Sequence, residues 1–447
     1  MTNRSKSSAP AAKLFGETGG VPGGRDGWKP EDLKMFKFLR EVLNHIEIAY
    51  VSTYPPQECG IATFCRDLAS SIDKYTPFAD PTVVAVTNVT DIEPFPKIVK
   101  TKISKHEQAS YIAAADFLNK SSVDAVCIQH EYGIFGGPDG EYILDFLERL
   151  NKPVVATLHT VLFNPSPNQK RIVQKIAENA LALVVMVKMG KQMLIDCYDI
   201  PPEKVVVIPH GVPNVHRVSP EVVKKQLAIG DRIVISSFGL INRGKGIEYA
   251  IQAMPKIVEK HPNAVYLVLG ETHPGVRNHE GESYRNELLE LVDKLGMQKH
   301  ILFNNRYLTL EELVNYLCAT DIYITPYINK DQITSGTLAY ALGCGKAIIS
   351  TPYLYAEEVL SGGRGTLVDF RNPNEISGMV NRILADTALR ESMEAKAYRY
   401  GRRAAWFNVA IDYLDLLHRI CASCRLEPLA EKSKLQTSNS RSKGDRI

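Results

Sequence analysis

The segment 321–350 contains residue types that could bind an anionic ligand. Ile322–Thr325 predicts a buried strand, and a polar loop after Pro326 leads to Ser335–Thr337, where a capped helix should begin. The free N–H groups and dipole of a helix N-terminus favour a phosphate, and open parallel sheets bind ligands at the carboxyl ends of their strands. The pattern fits an ordinary βαβ unit equally well, so it leaves phosphate binding open.

A second candidate anion site is the loop Leu240–Gly246, which follows the predicted strand Ile233–Gly239. The loop places glycines around two cations, Arg243 and Lys245, at a strand-to-helix turn. The N–H groups of such a turn can cradle a diphosphate while the cations neutralise its charge. The glycine spacing is neither that of a Walker loop nor GxGxxG.

Polar residues and glycine also occur at strand ends in the first half of the chain. Gly60 follows the first predicted strand and lets the backbone lie close to a ligand or a neighbouring strand. His159 ends another strand, where it could donate to a substrate hydroxyl or phosphate, or equally cap a loop. His130 and Glu131 resemble half of a metalloprotease motif, but no second histidine follows at helical spacing. We therefore predict no metal site.

Strands alternate with helices along the whole chain, which predicts an α/β fold with mostly parallel sheets and right-handed crossovers. The second half repeats this alternation after a linker near 211–230, so we expect two doubly wound domains that face each other across a cleft. Before them we predict a short amphipathic helix near Glu31–Leu43. The polar loop 271–285 could line a ligand pocket or, as we slightly favour, merely cover a helix. The strands predicted in the first half are Glu47–Ser52, Thr82–Val86, Ala125–Gln129, Val154–Leu158, Leu183–Met186 and Val205–Ile208.

Length and composition suggest two domains of a soluble globular protein, with 447 residues, 45% hydrophobic and 23% charged. The N-terminal segment lacks the apolar centre of a secretory signal, and the eight cysteines are scattered, so we expect a cytoplasmic protein without a transmembrane segment. The formal charge of +3 arises in the Ser-, Lys- and Arg-rich tails 1–27 and 425–447, which we predict to be disordered. A broad basic nucleic-acid face is therefore not expected.

Several short motifs together resemble the group 1 glycosyltransferases of family 4. They are CGIATF at 59–64, TLHT at 157–160, PHGV at 209–212, and, in the second half, SSFGLINRGKGIEYAIQAM, CATDIYITPY and SGTLAYALGCGKAIIST. The resemblance covers about residues 46–420. It implies the GT-B fold, with two Rossmann-like domains, and retaining transfer of a hexose from a nucleoside-diphosphate sugar to a carbohydrate acceptor. The donor is a substrate, so no cofactor is implied, and the implied mechanism needs no metal.

The resemblance also implies domain roles. It assigns residues 28–215 to an N-terminal, acceptor-side domain and 216–395 to a C-terminal, donor-binding domain. The helix 396–424 is expected to return to the first domain.

The resemblance further implies roles for individual residues. Lys245 matches the lysine that holds the donor diphosphate, and Arg243 could supply the charge of an arginine that the family has where this chain has Leu240. Gly60 matches the glycine loop near the diphosphate, and His159 matches a histidine that contacts the donor sugar. The remaining residues expected at the donor are Gly239, Asp331, Gln332, Ser335, Gly336, Thr337 and Tyr340.

The main departure from the family lies in its two glutamates, which fall on Gln332 and Tyr340. Gln332 can still bind a sugar hydroxyl, with Asp331 beside it, and Tyr340 can reach a ribose hydroxyl but supplies no carboxylate. Two alternatives therefore stay open: a GT-B sugar epimerase or phosphorylase, and a catalytically degenerate nucleotide-sugar-binding protein.

Overall fold

The computed structural model describes residues 46–76, 81–88 and 94–426. The helix predicted near Glu31–Leu43, the tail 1–27 and residues 427–447 lie outside these ranges. Two parallel sheets dominate the described residues, and helices follow their strands on both faces. The central strands are buried along all or most of their length, as expected where helices cover both faces of a parallel sheet.

The first sheet is seven-stranded, with the order β3-β2-β1-β4-β5-β6-β7 and parallel pairing throughout. Its strands are β1 Ile48–Ser52, β2 Thr82–Thr87, β3 Val99–Ser104, β4 Ala125–His130, β5 Val154–Leu158, β6 Ala182–Val185 and β7 Val205–Val207. The α-helices among and after them are α1 Gly60–Asp73, α2 Gln108–Asn119, α3 Ile143–Arg149, α4 Pro167–Asn179, α5 Lys188–Tyr198 and α6 Pro220–Gln226.

The second sheet is six-stranded, with the order β10-β9-β8-β11-β12-β13, and its pairs are also parallel. Its strands are β8 Ile233–Phe238, β9 Ala264–Leu269, β10 Ile301–Asn304, β11 Ile322–Thr325, β12 Ala347–Ser350 and β13 Thr366–Leu367. The α-helices are α7 Ile247–Lys260, α8 Pro274–Glu280, α9 Ser283–Lys294, α10 Leu310–Ala319, α11 Gly336–Gly343, α12 Leu354–Leu360, α13 Pro373–Ala385, α14 Thr387–Arg403 and α15 Trp406–Leu426. The predicted pair of doubly wound α/β domains is confirmed, while the exact domain boundaries stay a prediction.

Two predicted elements are wrong. The sequence predicts a polar loop over 271–285, but α8 forms within it, with Pro274 in its first turn and the His273 side chain accepting from the N–H of Gly275. A single final helix over 396–424 is predicted, yet α14 and α15 are separate there. Between them Val212 pairs with the backbone, donating to the carbonyl of Ala404 and accepting from the N–H of Trp406. These bonds draw the chain out of the helix at that point.

The domains are joined by polar contacts and by the last helix. Tyr413 of α15 packs on the first domain, with its hydroxyl 2.9 Å from Oγ1 of Thr157 in β5. The carboxylate of Glu358 in α12 accepts from the N–H groups of Lys188 and Met189 at the start of α5. Among the described residues, none of the helices combines the length and the apolar character needed to cross a bilayer.

Candidate functional site

A tight turn brings the glycine loop 239–246 against the end of β11. Gly246 has a φ of +61°, and a Cβ atom there would lie 2.1 Å from the carbonyl oxygen of Pro326, so the position requires glycine. The turn places Nζ of Lys245 3.9 Å from the centroid of the Tyr327 ring. The Tyr327 hydroxyl in turn is 2.6 Å from Oγ1 of Thr337. Lys245 therefore lies beside the residues that begin α11.

The start of α11 is built from small polar residues. Ser335 caps the helix, since its Oγ accepts from the N–H of Leu338 at 3.3 Å, and the same oxygen is 3.1 Å from Oγ1 of Thr337. Gly239, with a φ of +130°, leaves only 3.1 Å between an ideal Cβ and Cγ2 of Thr337. The loop after β8 thus lies directly against the helix start, where the first N–H groups have no partner within the helix. The structure therefore brings together Gly239, Lys245, Ser335, Gly336 and Thr337.

The phenol of Tyr327 is electrostatically coupled to this cluster. Burial alone would raise the pKa of Tyr327, but the Lys245 ammonium and hydrogen bonds with Lys245, Thr337 and Ser335 outweigh it, so the pKa is lowered. An anion bound at this point would be stabilised by the same positive electrostatic field.

His159 directly follows β5, at the carboxyl edge of the first sheet, and is buried in a neutral state. Burial, with smaller contributions from His210 and His130, lowers the pKa of His159 to about 3. Its Nε2 is 3.0 Å from Oε1 of Gln129, so Nε2 carries the proton and donates. The remaining ring nitrogen, Nδ1, can only accept, so a contact with a sugar would be to a hydroxyl that donates.

His210, to which the sequence assigned no role, lies next to the same helix start. Its Nδ1 donates to the carbonyl of Gly211 at 2.8 Å, and burial lowers its pKa to about 4. An ideal Cβ on Gly336 would lie 3.0 Å from Nε2 of His210. The ring of Phe64 from α1 contacts both His210 and His159, at 5.1 Å and 4.8 Å between centroids. The PHGV motif contained the signal, but only the fold shows what the histidine contacts.

Gly60 is the first residue of α1, and no heavy atom lies within 4 Å of an ideal Cβ there, apart from its chain neighbours and helix backbone. No neighbouring protein atom is therefore close enough to require glycine at this position. The open space fits the ligand-contacting role predicted for the loop, which stays a prediction.

Arg243 is not brought together with Lys245. Its guanidinium makes a bidentate ion pair with Glu287 of α9, at 2.5 and 2.7 Å, and lies 5.2 Å from the centroid of the Tyr284 ring. The hydrogen bonds with Glu287 are the main reason that its pKa is raised. Two carboxylates, Glu287 and Glu280, therefore offset the charge that was expected to face a diphosphate.

Gln332 and Asp331 lie in the loop before α11, where their polar groups bond within the loop. The Gln332 amide nitrogen donates to the carbonyl of Thr334 at 2.7 Å, and the backbone N–H of Asp331 donates to Oδ1 of Asn329 at 3.1 Å. A contact of the Gln332 amide nitrogen with a sugar would require it to exchange this partner.

Tyr340 connects the two domains. Its hydroxyl donates to Oδ2 of Asp67 in α1 at 2.9 Å, and Asp67 also pairs with Arg66 at 2.7 Å. Burial raises the pKa of both Tyr340 and Asp67. The ribose contact expected for Tyr340 would require its hydroxyl to leave Asp67. Nothing in the local sequence marks Asp67 as its partner.

A carboxyl pair at the contact between the domains was also missed. Glu58, in the loop before Gly60, lies close to Glu271, which follows β9. A hydrogen bond that the two carboxyl groups can share when one is protonated is the main reason that the pKa of Glu58 rises to about 7. Arg277 of α8 lies 4.0 Å from Glu58 and 3.4 Å from Glu271. The polar segment 271–285 therefore contacts the opposite domain.

Among the described residues, no group of three or more His, Cys, Asp or Glu side chains is arranged to hold a metal ion.

Two family models match the chain in succession. The model for Glycosyltransferase Family 4 matches residues 73–214, and the model for Glycosyl transferases group 1 matches 219–400. Among curated relatives, the D-inositol 3-phosphate glycosyltransferase of Corynebacterium jeikeium is 28% identical over 256 residues, 54% of this chain and 58% of that protein. The enzyme of the same name from Corynebacterium glutamicum is 24% identical over 351 residues, 72% of this chain and 80% of that protein. In the first of these comparisons the chain spans less than two thirds of the relative.

Solved structures show the same architecture. Anabaena HepE in complex with UDP and glucose superimposes with a TM-score of 0.67 and 16% identity, covering 84% of this chain and 100% of that one. Sucrose-phosphate synthase from Thermosynechococcus elongatus superimposes with a TM-score of 0.67 and 15% identity, again covering 84% of this chain and 100% of that one. At these identities the likeness concerns the fold, which is GT-B. With one family model matched by each half of the chain, the protein belongs to the group 1, family 4 glycosyltransferases.

Proposed function

We propose that the protein transfers a hexose from a nucleoside-diphosphate sugar to a sugar or glycoconjugate acceptor, with retention of configuration and without a metal ion. The observation that supports this most directly is the Lys245 ammonium beside the capped start of α11. The leaving diphosphate gains negative charge as the glycosidic bond breaks. A fixed cation and preorganised N–H groups stabilise such charge most in the transition state, which raises turnover.

The proposed roles follow the geometry of the site. Lys245 and the N–H groups of Gly336 and Thr337 hold the diphosphate. His159 accepts from a sugar hydroxyl through Nδ1, and Gln332 orients the sugar after exchanging its loop partner. Arg243 contributes only if it leaves Glu287.

The donor and acceptor are proposed by analogy with the relatives. HepE is described in complex with UDP-glucose as well as with UDP and glucose, which supports a UDP-hexose as the first donor to test. The Corynebacterium relatives are named for D-inositol 3-phosphate, so phosphorylated polyols belong with sugars among the acceptors screened. A cytoplasmic location and the lack of a nucleic-acid partner stay predictions.

The test combines donor binding with turnover. Thermal unfolding is measured with UDP, GDP and ADP and their hexose conjugates. A ligand at 100 times its dissociation constant raises the free energy of unfolding by about 2.7 kcal/mol. Nucleoside diphosphate release is then measured with and without acceptor. Lys245→Ala should lower turnover about a hundredfold or more, while Lys260→Ala, at the exposed far end of α7, should not change it.

The same assay separates the alternatives. Turnover of the donor sugar without an acceptor would support an epimerase, and cleavage by inorganic phosphate would support a phosphorylase. Donor binding without any turnover would support a degenerate binding protein. Normal turnover of Lys245→Ala would contradict the role given to Lys245.

A further inference from the structure

Tyr327 is buried where the glycine loop, strand β11 and helix α11 meet, and neither the motifs nor the family resemblance assigned it a role. Its backbone carbonyl accepts from Oγ1 of Thr351 at 2.5 Å, which ties it to the end of β12. The next residue, Ile328, donates its N–H to the carbonyl of Gly244 at 3.1 Å. The Tyr327 backbone is therefore fixed to the same loop that carries Lys245.

The Tyr327 side chain is held as firmly as its backbone. The ring stacks on Tyr353, with 5.2 Å between centroids and 20° between planes. The hydroxyl bonds to Thr337, whose own hydroxyl is 3.1 Å from that of Ser335. One aromatic side chain thus connects the ammonium of Lys245 to the first residues of α11.

An aromatic partner differs from a carboxylate partner in what it leaves for a ligand. A ring face attracts an ammonium without cancelling its charge, whereas a carboxylate neutralises it, as Glu287 does for Arg243. Among the residues that the structure describes, Lys245 makes no ion pair within 4.0 Å. Lys245 is therefore positioned and still able to bind an anion.

We propose that Tyr327 is a positioning residue for the diphosphate site: its ring holds the Lys245 ammonium beside the start of α11, and its hydroxyl fixes the ring to Thr337. This inference rests on the proposed function, because it assumes that a diphosphate is the anion bound. The ring carries most of the effect, because its face lies over the ammonium, and the hydroxyl carries the smaller part through its single hydrogen bond with Lys245.

The test measures binding by calorimetry with full-length wild type and variants, using UDP, uridine and inorganic pyrophosphate as ligands. Tyr327→Leu should weaken UDP and pyrophosphate binding about tenfold, as expected for a cation–π contact with a half-buried ammonium, and leave uridine binding unchanged. Tyr327→Phe keeps the ring and should bind UDP within about threefold of wild type. Tyr284→Leu is the matched control, because it removes a buried ring under the other cation of the loop, Arg243, and should leave UDP binding unchanged.

Three results would overturn the inference. They are unchanged UDP binding in Tyr327→Leu, an equal loss of uridine and UDP binding in that variant, and an equal loss of UDP binding in Tyr284→Leu. If the wild type binds pyrophosphate but no nucleotide, the proposed donor function is wrong. The role of Tyr327 is then tested by pyrophosphate binding alone. Wild type that binds none of the phosphorylated ligands would overturn both.

Discussion

Arg243 and Lys245 belong to one glycine loop but have opposite electrostatic surroundings. Lys245 lies over a tyrosine ring beside α11, while Arg243 is paired with Glu287 on the exposed face of α9. Because only the unpaired cation can add charge to a phosphate site without first losing a partner, we expect Arg243→Ala to change the dissociation constant of UDP by less than about threefold. Calorimetry on Arg243→Ala and Lys245→Ala provides the comparison. A loss in Arg243→Ala as large as in Lys245→Ala would mean that Arg243 exchanges Glu287 for the donor.

Three buried histidines should make the protein sensitive to acid. Burial is the main cause that lowers the pKa of His159 to about 3 and those of His130 and His210 to about 4. In the unfolded chain a histidine takes up a proton near pH 6.5, so below that pH the unfolded state binds more protons and stability falls as pH falls. Each histidine should cost on the order of 2 kcal/mol of unfolding free energy at about pH 5 relative to neutral pH.

Denaturant unfolding between pH 5 and about pH 8 measures this dependence. Replacing His210 by glutamine should reduce the slope of unfolding free energy against pH. His279→Gln, at an exposed position of α8, should leave that slope unchanged. An equal slope in wild type and His210→Gln would show that His210 is protonated within the folded protein. The neutral state derived for these histidines also leaves no imidazolium to act on the donor near neutral pH.

At the scale of elements, the turn at Gly246 determines where helix α7 begins and where Lys245 lies. Gly246→Ala adds a Cβ in a left-handed conformation and against the carbonyl of Pro326, whereas Gly230→Ala meets the same backbone strain, at a φ of +73°, in open space. The strain should cost about 1 kcal/mol in both variants, and the contact should cost Gly246→Ala about 1–3 kcal/mol more. Urea unfolding of the two variants measures the difference. Equal losses would indicate that Pro326 moves aside at little cost.

Strands and helices with strong apolar patterns were predictable from sequence, and those without were not. β11 and α11 follow their pattern closely, because buried β-branched residues and a Ser cap are local signals. The edge strand β3, VKTKIS, was missed because its outer side exposes lysines, as edge strands commonly do. α8 was missed because none of its residues is buried, so the segment has no apolar period.

The candidate site was predictable only as far as backbone geometry determines it. The glycine loop and the helix start come together because both follow neighbouring strands of one parallel sheet, β8 and β11. Side-chain partners from distant segments had no local signal. Arg243 pairs with Glu287, 44 residues away in the sequence, and Tyr340 bonds to Asp67, 273 residues away.

For the whole molecule, one stretch of the first domain carries several contacts to the second. Within 58–67, Oγ1 of Thr63 is 2.9 Å from the hydroxyl of Tyr307, and Asp67 accepts from Tyr340 at 2.9 Å. Glu58 adds a contact with Glu271 that raises the pKa of Glu58. These contacts connect the loop that carries Gly60 to the second domain, so the arrangement of the two domains depends on them.

The Glu58–Glu271 contact should make the separation of the domains depend on pH. The shared hydrogen bond, burial and the Glu271 charge raise the pKa of Glu58 to about 7, while Arg277 opposes the shift. The folded state therefore binds a proton that the unfolded state releases near pH 4.5, so this contact stabilises the observed arrangement of the domains at low pH, and the stabilisation is lost as pH rises through about 7. Above that pH two carboxylates face each other with one guanidinium, Arg277, between them.

Small-angle X-ray scattering at about pH 6 and about pH 8.5, on either side of this pKa, should show a larger radius of gyration at the higher pH. Glu58→Gln keeps the shape of the protonated side chain and cannot ionise, so its radius should be the same at both values. Tyr307 and Arg285 interact electrostatically with the pair, and neither changes charge near pH 7, because burial raises the pKa of Tyr307 and the guanidinium of Arg285 stays charged. An equal expansion in wild type and Glu58→Gln would assign the pH response to another part of the molecule. A response confined to wild type would mean that one proton between the domains controls how far apart the domains lie.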